Sequence, residues 1–249
     1  MKAAKPAGAL QGRRIVITRP AEKARRLADR LRSLGAVPIE FPTVKIEPAE
    51  SGPLDAALRA LDTFDWIVFT SANGVEAVFA RFAAAGKDAR AVAARKVAAI
   101  GPVTAQALRA KGVEPSLVPG EYVAEAILDA LGDVRGKRFL LPRADIAREA
   151  LADGLRGKGA AVTEVAAYRT VGVGGPPPDL SGADAVTFTS SSTVRHFLAS
   201  GAAVGRAKVV CIGPVTAATA RELGLTVDAM ATEYTEDGLI QALEGVLST

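Results

Sequence analysis

The chain has 249 residues, of which 49% are hydrophobic and 23% charged, and its formal net charge is +4. This is an ordinary globular composition, and the length can hold one large domain or two small ones. Only 5% of the residues are aromatic, which disfavours single-stranded nucleic-acid binding on stacked aromatic side chains. One cysteine and one histidine exclude a disulfide framework and a Cys/His metal site.

The first predicted elements are a strand over residues 14–18 and a helix that opens at Pro20. A proline is tolerated there because its missing N–H has no partner to lose. An apolar stripe with helical period runs from Ala24 to Leu34. Gly35 follows at the C′ position where helices commonly end.

Short apolar runs follow at residues 66–69, 97–100 and 208–212, and the last predicted helix has an apolar side from Leu239 to Leu247. Continuous runs of this kind are typical of strands buried on both faces of a parallel sheet. Their alternation with helices predicts α/β layers. Cys211 lies within the third run, which indicates a buried strand residue rather than a nucleophile.

Three sequence blocks occur twice and in the same order. Residues 12–36 align without gaps on residues 136–160, an offset of 124. Asp65 opens a block that recurs at Asp184, and residues 96–105 recur at 208–217. Two repeats of this size indicate an internal duplication and a pair of related domains rather than a solenoid.

Small, hydroxyl-bearing and basic residues follow the predicted strands. In parallel sheets these turns meet at the carboxyl edge, where ligands bind, and open helix N-termini there attract anions. Plain helix capping explains any one of these turns equally well, but six turns on one edge favour an anion-lined cleft. The candidate binding residues are Thr18, Arg19, Ser71, Asn73, Gly101, Thr104, Arg143, Ser190, Ser191, Gly213 and Thr216.

The turn motifs carry a family resemblance. The Thr-Arg-Pro turn at residues 18–20, the two Phe-Thr-Ser turns and the paired Ile-Gly-Pro-Val-Thr-Ala segments resemble uroporphyrinogen-III synthases. The Glu-Tyr-Thr-Glu-Asp-Gly-Leu segment at residues 233–239 does so too, and the resemblance extends over about residues 12–247. Their order and spacing are together more specific than any single motif.

The resemblance implies an α/β fold with two flavodoxin-like parallel-sheet domains joined by a two-stranded linker. The first domain is expected to combine residues 1–40 with 172–249, and the second to span residues 45–165. The chain would cross between them at residues 38–44 and 164–171. The repeats alone leave the choice between this partition and one boundary near residue 132 open.

The family's substrate, hydroxymethylbilane, is a linear tetrapyrrole with eight carboxylates. Its cyclisation with loss of water needs positioning more than acid–base chemistry, so no cofactor and no metal is expected. The resemblance assigns Tyr168 to assisting departure of the substrate hydroxyl, and a hinge tyrosine packed between domains is the equal alternative. Tyr122 and Tyr234 stand at matching repeat positions, where a structural role is at least as well supported as ligand contact.

The remaining expectations concern partners and location. Residues 1–11 lack the apolar stretch of a signal peptide, and no run is long enough to span a membrane, so a cytoplasmic protein is expected. Its partner would be the anionic substrate, with no nucleic acid and no membrane, and the family suggests a monomer. The alternative from another class is a non-catalytic sensor module of the same fold that binds a tetrapyrrole or another anion.

Overall fold

The computed structural model describes residues 8–121, 124–146 and 149–248. Within them strands and helices alternate along the chain, which confirms the predicted α/β class. The strands are β1 (Arg14–Ile17), β2 (Val37–Glu40), β3 (Val44–Pro48), β4 (Trp66–Phe69), β5 (Lys96–Ala99), β6 (Arg138–Ala144), β7 (Ala161–Gly172), β8 (Ala185–Phe188), β9 (Lys208–Cys211) and β10 (Ala229–Met230). The helices are α1 (Ala21–Ser33), α2 (Ser51–Arg59), α3 (Ala72–Ala84), α4 (Arg90–Ala93), α5 (Pro102–Ala110), α6 (Ala124–Ala130), α7 (Ala150–Gly157), α8 (Ser191–Ala199), α9 (Pro214–Glu222) and α10 (Glu236–Leu247).

The chain forms two compact units. The first unit contains residues 1–45 and 171–249, and the second contains residues 46–170. Each has its own five-stranded sheet. The chain leaves the first unit within β3 and returns to it within β7, and these two strands are neighbours in the second sheet.

The sheet of the first unit has the order β2-β1-β8-β9-β10, and every neighbouring pair is parallel. One face of this sheet packs against α1 and α10 through residues such as Leu27 and Leu243. The opposite face packs against α8 and α9, where the rings of Phe188 and Phe197 meet edge to face at 5.3 Å. Burial on both faces explains why these strands are continuous apolar runs.

The sheet of the second unit has the order β5-β4-β6-β7-β3, with parallel pairs from β5 through β7. Its larger core lies against α2, α3 and α5 and includes Phe69, Phe79 and Phe82. The core on the other face is formed against α6 and α7, where Phe139 stacks on Trp66 at 6.2 Å between ring centroids. Each unit is thus a three-layer α/β sandwich.

The sequence repeats recur as structural repeats. The block at residues 12–36 folds as β1 and α1, and its copy at 136–160 folds as β6 and α7. Gly35 and Gly159 end these helices with φ of 84° and 86°, values that favour glycine. Leu34 is the one member of the predicted stripe that is exposed, because it is the C-cap residue.

Residues 37–40 form β2 of the first sheet, and the strand beside β7 is Val44–Pro48. The extended segment that neighbours β7 therefore begins at the last residue of the predicted 38–44 crossing.

Candidate active site

The strand orders locate one crevice in each unit. Read as β2-β1-β8-β9-β10, the first sheet has the 2-1-3-4-5 order of flavodoxin, and the second sheet repeats it with β5-β4-β6-β7. In such sheets the strand order reverses between the first and third strands, and ligands bind beyond their carboxyl ends. These points lie between β1 and β8 in the first unit and between β4 and β6 in the second.

At the crevice of the second unit the structure brings three predicted residues together. The hydroxyl of Tyr168 lies 2.9 Å from the hydroxyl of Ser71, and the side chain of Asn73 also hydrogen-bonds to Tyr168. Ser71 is the N-cap of α3 and accepts a 3.1 Å hydrogen bond from the N–H of Gly74. One cap therefore fixes both the helix and the tyrosine.

The surroundings of Tyr168 keep its hydroxyl protonated. Burial raises its pKa above the ordinary 10.0; hydrogen bonds with Ser71 and Asn73 act in the opposite direction, and the negative charge of Asp145 adds to the rise. The residue is only 8% exposed. At neutral pH the phenol is therefore neutral and able to donate a hydrogen bond.

The backbone around Tyr168 is held by β6. The pairing of β6 with β7 is irregular between Arg143 and Ala144, and Ala144 lies opposite Tyr168. The N–H of Asp145 donates a 3.0 Å hydrogen bond to the carbonyl of Tyr168. Gly74 approaches β6 so closely that a Cβ there would lie 2.9 Å from the carbonyl oxygen of Pro142. Close contact between α3 and β6 thus depends on this glycine.

Beside this cluster, α5 begins directly after β5. Gly101 is its N-cap residue and Pro102 its first residue, while the side chain of Thr104 is buried. Neither α3 nor α5 has an acidic residue in its first turn. The partial positive charge of these helix N-termini is therefore not offset by their own side chains. The buried side chain of Thr104 packs inside the turn, so the groups that remain available to a ligand are backbone amides.

The first unit has the same plan with different side chains. Ser190 caps α8 in a capping box with Thr193, and its hydroxyl lies 2.9 Å from that of Ser192. The hydroxyl of Ser191 lies 2.7 Å from that of Thr219 in α9. Both serines are partly exposed, and neither α8 nor α9 has an acid in its first turn.

Three other predicted residues of the first unit have structural positions. Thr18 is fully buried and its hydroxyl donates a 2.7 Å hydrogen bond to the carbonyl of Thr187, which joins β1 to β8. Thr216 is 4% exposed within α9. Gly213 is the N-cap of α9, and a Cβ there would meet the ring of Tyr234 at 3.3 Å. Tyr234 therefore packs on the start of α9, whereas Tyr122 lies outside the described residues.

The two predicted arginines are paired inside their units. Arg19 Nη1 lies 2.6 Å from Glu236 Oε1, and Arg143 Nη2 lies 2.5 Å from Glu164 Oε2. Each arginine side chain is only 12% exposed. Their charges are thus compensated by carboxylates of the same unit rather than presented to solvent. Sequence reasoning missed both glutamates; the available signal for Glu164 was its repeat position, which corresponds to Glu40.

The cysteine and the histidine of the chain lie within secondary-structure elements of the first unit. Cys211 is fully buried in β9, as predicted, and burial raises the pKa of its thiol to about 11. His196 lies within α8 and packs on Gly172. In the described part of the chain, no three His, Cys, Asp or Glu side chains form a group suited to a metal ion. No helix among those residues is long and apolar enough to cross a bilayer.

Topology and crevices define the class: a two-unit α/β protein of flavodoxin-like strand order. The N-termini of α3, α5, α8 and α9 lack first-turn acids, and the phenol of Tyr168 is buried at the crevice of the second unit. Residues 25–241 match the family model described as uroporphyrinogen-III synthase HemD. The chain is 38% identical to the uroporphyrinogen-III synthase of Synechococcus elongatus over 94% of its own length and 96% of that protein's. It therefore belongs to the uroporphyrinogen-III synthase family and is an enzyme of tetrapyrrole biosynthesis, a cyclising lyase.

Solved structures agree on the fold. A mutant uroporphyrinogen III synthase from Thermus thermophilus superposes with a TM-score of 0.70 at 21% identity, covering 95% of this chain and 99% of that one. The Helicobacter pylori enzyme superposes with a TM-score of 0.60 at 18% identity, covering 92% and 97%. The recognition made from the turn motifs is confirmed by the sequence comparisons, and the fold implied by it is confirmed by these structures.

Proposed function

We propose that this enzyme closes hydroxymethylbilane to uroporphyrinogen III, with inversion of ring D and loss of water. The observation that carries the proposal is the hydrogen-bonded cluster of Tyr168, Ser71 and Asn73 at the crevice of the second unit, in a chain that belongs to this family. This cyclisation requires one hydrogen-bond donor that assists the loss of water and many contacts that position the substrate.

Expulsion of water begins the reaction. The pyrrole nitrogens of the substrate supply the electrons that expel the hydroxyl group, and the chain's task is to stabilise the departing oxygen. A neutral phenol held by Ser71 and Asn73 is a suitable donor, because its raised pKa keeps the proton in place at neutral pH. Full proton transfer from so weak an acid is not required.

Positioning then decides which macrocycle forms. The uncatalysed reaction closes on the free carbon of the terminal ring and gives the type I isomer. Attack on the substituted carbon, through a spiro intermediate, inverts ring D and gives type III. Holding a flexible chain in one reactive conformation contributes several kcal/mol (up to about 7–11 in favourable cases).

The carboxylates of the substrate supply the handles for this positioning. We assign them to the amides at the N-termini of α3 and α5 in the second unit and of α8 and α9 in the first. Ser71, Asn73 and Gly101 mark the first pair of helices, and Ser190 and Ser191 with Gly213 mark the second. Support comes from the lack of first-turn acids in all four helices.

Thr18, Thr104 and Thr216 shape the turns from within, since their side chains are buried. Arg19 and Arg143 stay in the proposal as positioning residues that order the crevices through their glutamates.

We further propose a division of the chain into two functional domains. The functional domains are residues 1–40 with 172–249 and residues 45–165, with crossings at 38–44 and 164–171. The two compact units support this division. We also propose that the enzyme works as a cytoplasmic monomer on its anionic substrate alone, without cofactor, nucleic acid or membrane.

The test is a coupled assay with freshly generated hydroxymethylbilane. The products are oxidised and the type I and type III isomers are separated by chromatography. A type III fraction well above that of the enzyme-free control is the expected result. Only type I product in the presence of folded protein would reject the cyclisation and favour a non-catalytic tetrapyrrole sensor.

A further inference from the structure

Helix α1 has a high net positive charge for its length. It contains five basic and two acidic side chains, a formal charge of +3 where the whole chain has +4. Lys23, Arg25 and Arg26 are all exposed and stand in its first two turns; we call these three residues the α1 basic face. Packing of the helix depends on the buried stripe that includes Ala24 and Leu27, so the core does not require these charges.

The duplicated helix in the second unit lacks this charge. At the offset of 124 residues α1 aligns with residues 145–157, of which 150–157 form α7, and the charged residues of that segment are Asp145, Arg148, Glu149, Asp153 and Arg156, a formal charge of −1. Both helices cover the equivalent face of equivalent sheets. The fold therefore works without a positively charged helix at this position, and the α1 basic face is particular to the first unit.

The α1 basic face lies at the carboxyl edge of its sheet. Helix α1 begins four residues after β1 ends, and Arg26 Nε lies 3.5 Å from Oε2 of Glu236, the first residue of α10. Oε1 of Glu236 is held by Arg19 at 2.6 Å. Arg30 also reaches Glu236, and it pairs with Asp237.

Positive charge is in excess at this edge. Five basic residues border it, namely Arg19, Lys23, Arg25, Arg26 and Arg30, against four acids, namely Glu22, Glu233, Glu236 and Asp237. Arg25 has no hydrogen-bond or ion-pair partner among the residues that the structure describes, and Arg26 is 77% exposed and shares a glutamate already engaged by Arg19. The N-terminus of α1 adds partial positive charge to the same edge.

We propose that the α1 basic face captures the polycarboxylate tetrapyrrole substrate at the edge of the first unit before it enters the crevice. The inference rests on the proposed function and adds to it a route of entry. Exposed charges of this kind contribute little to folding stability, whereas a surface of one sign raises the association rate of an oppositely charged ligand about tenfold or more at low salt. A substrate with eight carboxylates experiences this attraction strongly, and salt screens it.

The test compares two charge reversals in the same unit. Arg25→Glu changes the α1 basic face, and Arg206→Glu makes the same change of charge at an exposed position two residues before β9, at the amino edge of the sheet. We expect Arg25→Glu to lower kcat/KM for hydroxymethylbilane about tenfold at low ionic strength. We expect kcat and the type III fraction to stay unchanged, the deficit to shrink in ~0.5 M salt, and Arg206→Glu to have less than about a twofold effect.

A second measurement separates this proposal from the cyclisation. Stopped-flow binding of uroporphyrin, a stable tetrapyrrole with the same eight carboxylates, reports association without turnover. Slower association in Arg25→Glu than in Arg206→Glu supports capture even if no type III product forms. Equal effects of the two reversals, a deficit that persists in high salt, or a loss confined to kcat would overturn the proposal, whether or not the wild-type enzyme makes type III product.

Discussion

The two units share a framework of charged residues that survived the duplication. In the first unit Arg32 bridges Asp29 and Glu40, and in the second unit Arg156 bridges Asp153 and Glu164, which stand at the same offset of 124 residues. In both cases the arginine lies in the last turn of the helix and the glutamate lies on the strand that follows that helix. The equivalence shows that the helix, the strand that follows it and their connection were inherited together in the duplication.

The ligand edges of the two units have diverged. Arg19 and Arg143 are also equivalent, but Arg19 pairs with Glu236 at the start of α10 and Arg143 pairs with Glu164 on β7. The residue at the position of Glu236 in the second unit is Ala124, which explains the different partner. Tyr168 corresponds to Val44 at the same offset. After the duplication the two units therefore kept the same packing, whereas the side chains at their ligand edges diverged.

The largest effect is expected where the first unit requires a glycine and the second does not. A Cβ at Gly238 would lie 2.1 Å from the carbonyl oxygen of Glu233, a backbone atom that cannot move aside easily. The equivalent residue in the second unit is Ala126. We expect Gly238→Ala to lower the free energy of unfolding by about 3 kcal/mol, measured by urea denaturation.

The reverse change, Ala126→Gly, is the control for this prediction. It should cost no more than the ~1 kcal/mol of helix propensity. Equal losses of unfolding free energy in Gly238→Ala and Ala126→Gly would contradict the prediction that only the first unit requires a glycine at this position.

The second test breaks the divergent ion pairs. Glu236→Gln leaves Arg19 without a compensating charge at a site where both side chains are less than a fifth exposed, and Glu164→Gln does the same to Arg143. Each should destabilise the protein by about 2 kcal/mol. Glu114→Gln removes the partner of Arg109 in an exposed pair and should cost less than about 0.5 kcal/mol. Thermal unfolding that does not distinguish the three variants would contradict the structural role.

The third test concerns the phenol of Tyr168, whose counterpart in the first unit is Val44. Tyr168→Phe removes the hydroxyl but keeps the ring, so we expect kcat to fall by roughly 10- to 100-fold, within or below the usual range for a catalytic proton donor. The urea unfolding midpoint serves as the control and should change little. Wild-type turnover by the folded variant would assign Tyr168 to packing alone.

The smallest effect is a pH dependence confined to the first unit. Cys211 is buried with a pKa of about 11 against an ordinary 9.0, and the second unit has Ala99 at the equivalent position. Because the unfolded thiol ionises first, this residue's contribution is complete below pH 9 and is lost as the pH rises towards 11. Wild-type stability should therefore decline more steeply over that range than that of Cys211→Ala, by on the order of 1–2 kcal/mol. Parallel urea-midpoint curves would argue against a buried thiol.

Much of the fold could be predicted from the sequence because its signals are local. Apolar runs marked the strands, Pro20 and Gly35 bounded the first helix, and the internal repeat predicted two related units. The cluster of Tyr168 with Ser71 and Asn73 was anticipated as separate residues, since each follows a strand or lies on a crossing. Their meeting depends on the pairing of β6 with β7 and on the close approach at Gly74.

The partners of the arginines could not be predicted in the same way. Arg19 and Glu236 are far apart in the chain and meet only because α10 packs beside α1. A threonine after a strand also has two uses that look alike in sequence. Thr18 turns its hydroxyl inward to bridge two strands, whereas Ser190 stays partly exposed at a helix cap. Side-chain direction at a strand end is set by tertiary packing, which a turn motif does not encode.

The path of the chain determines the order in which the two units can fold during synthesis on the ribosome. The second unit is one continuous stretch, residues 46–170, whereas the first places β1 against β8, which is made some 170 residues later. Domains generally fold as they are synthesised. The second unit should therefore be able to fold before β8, the neighbour of β1, has been synthesised. The first unit can form only after the carboxyl-terminal part of the chain has been translated.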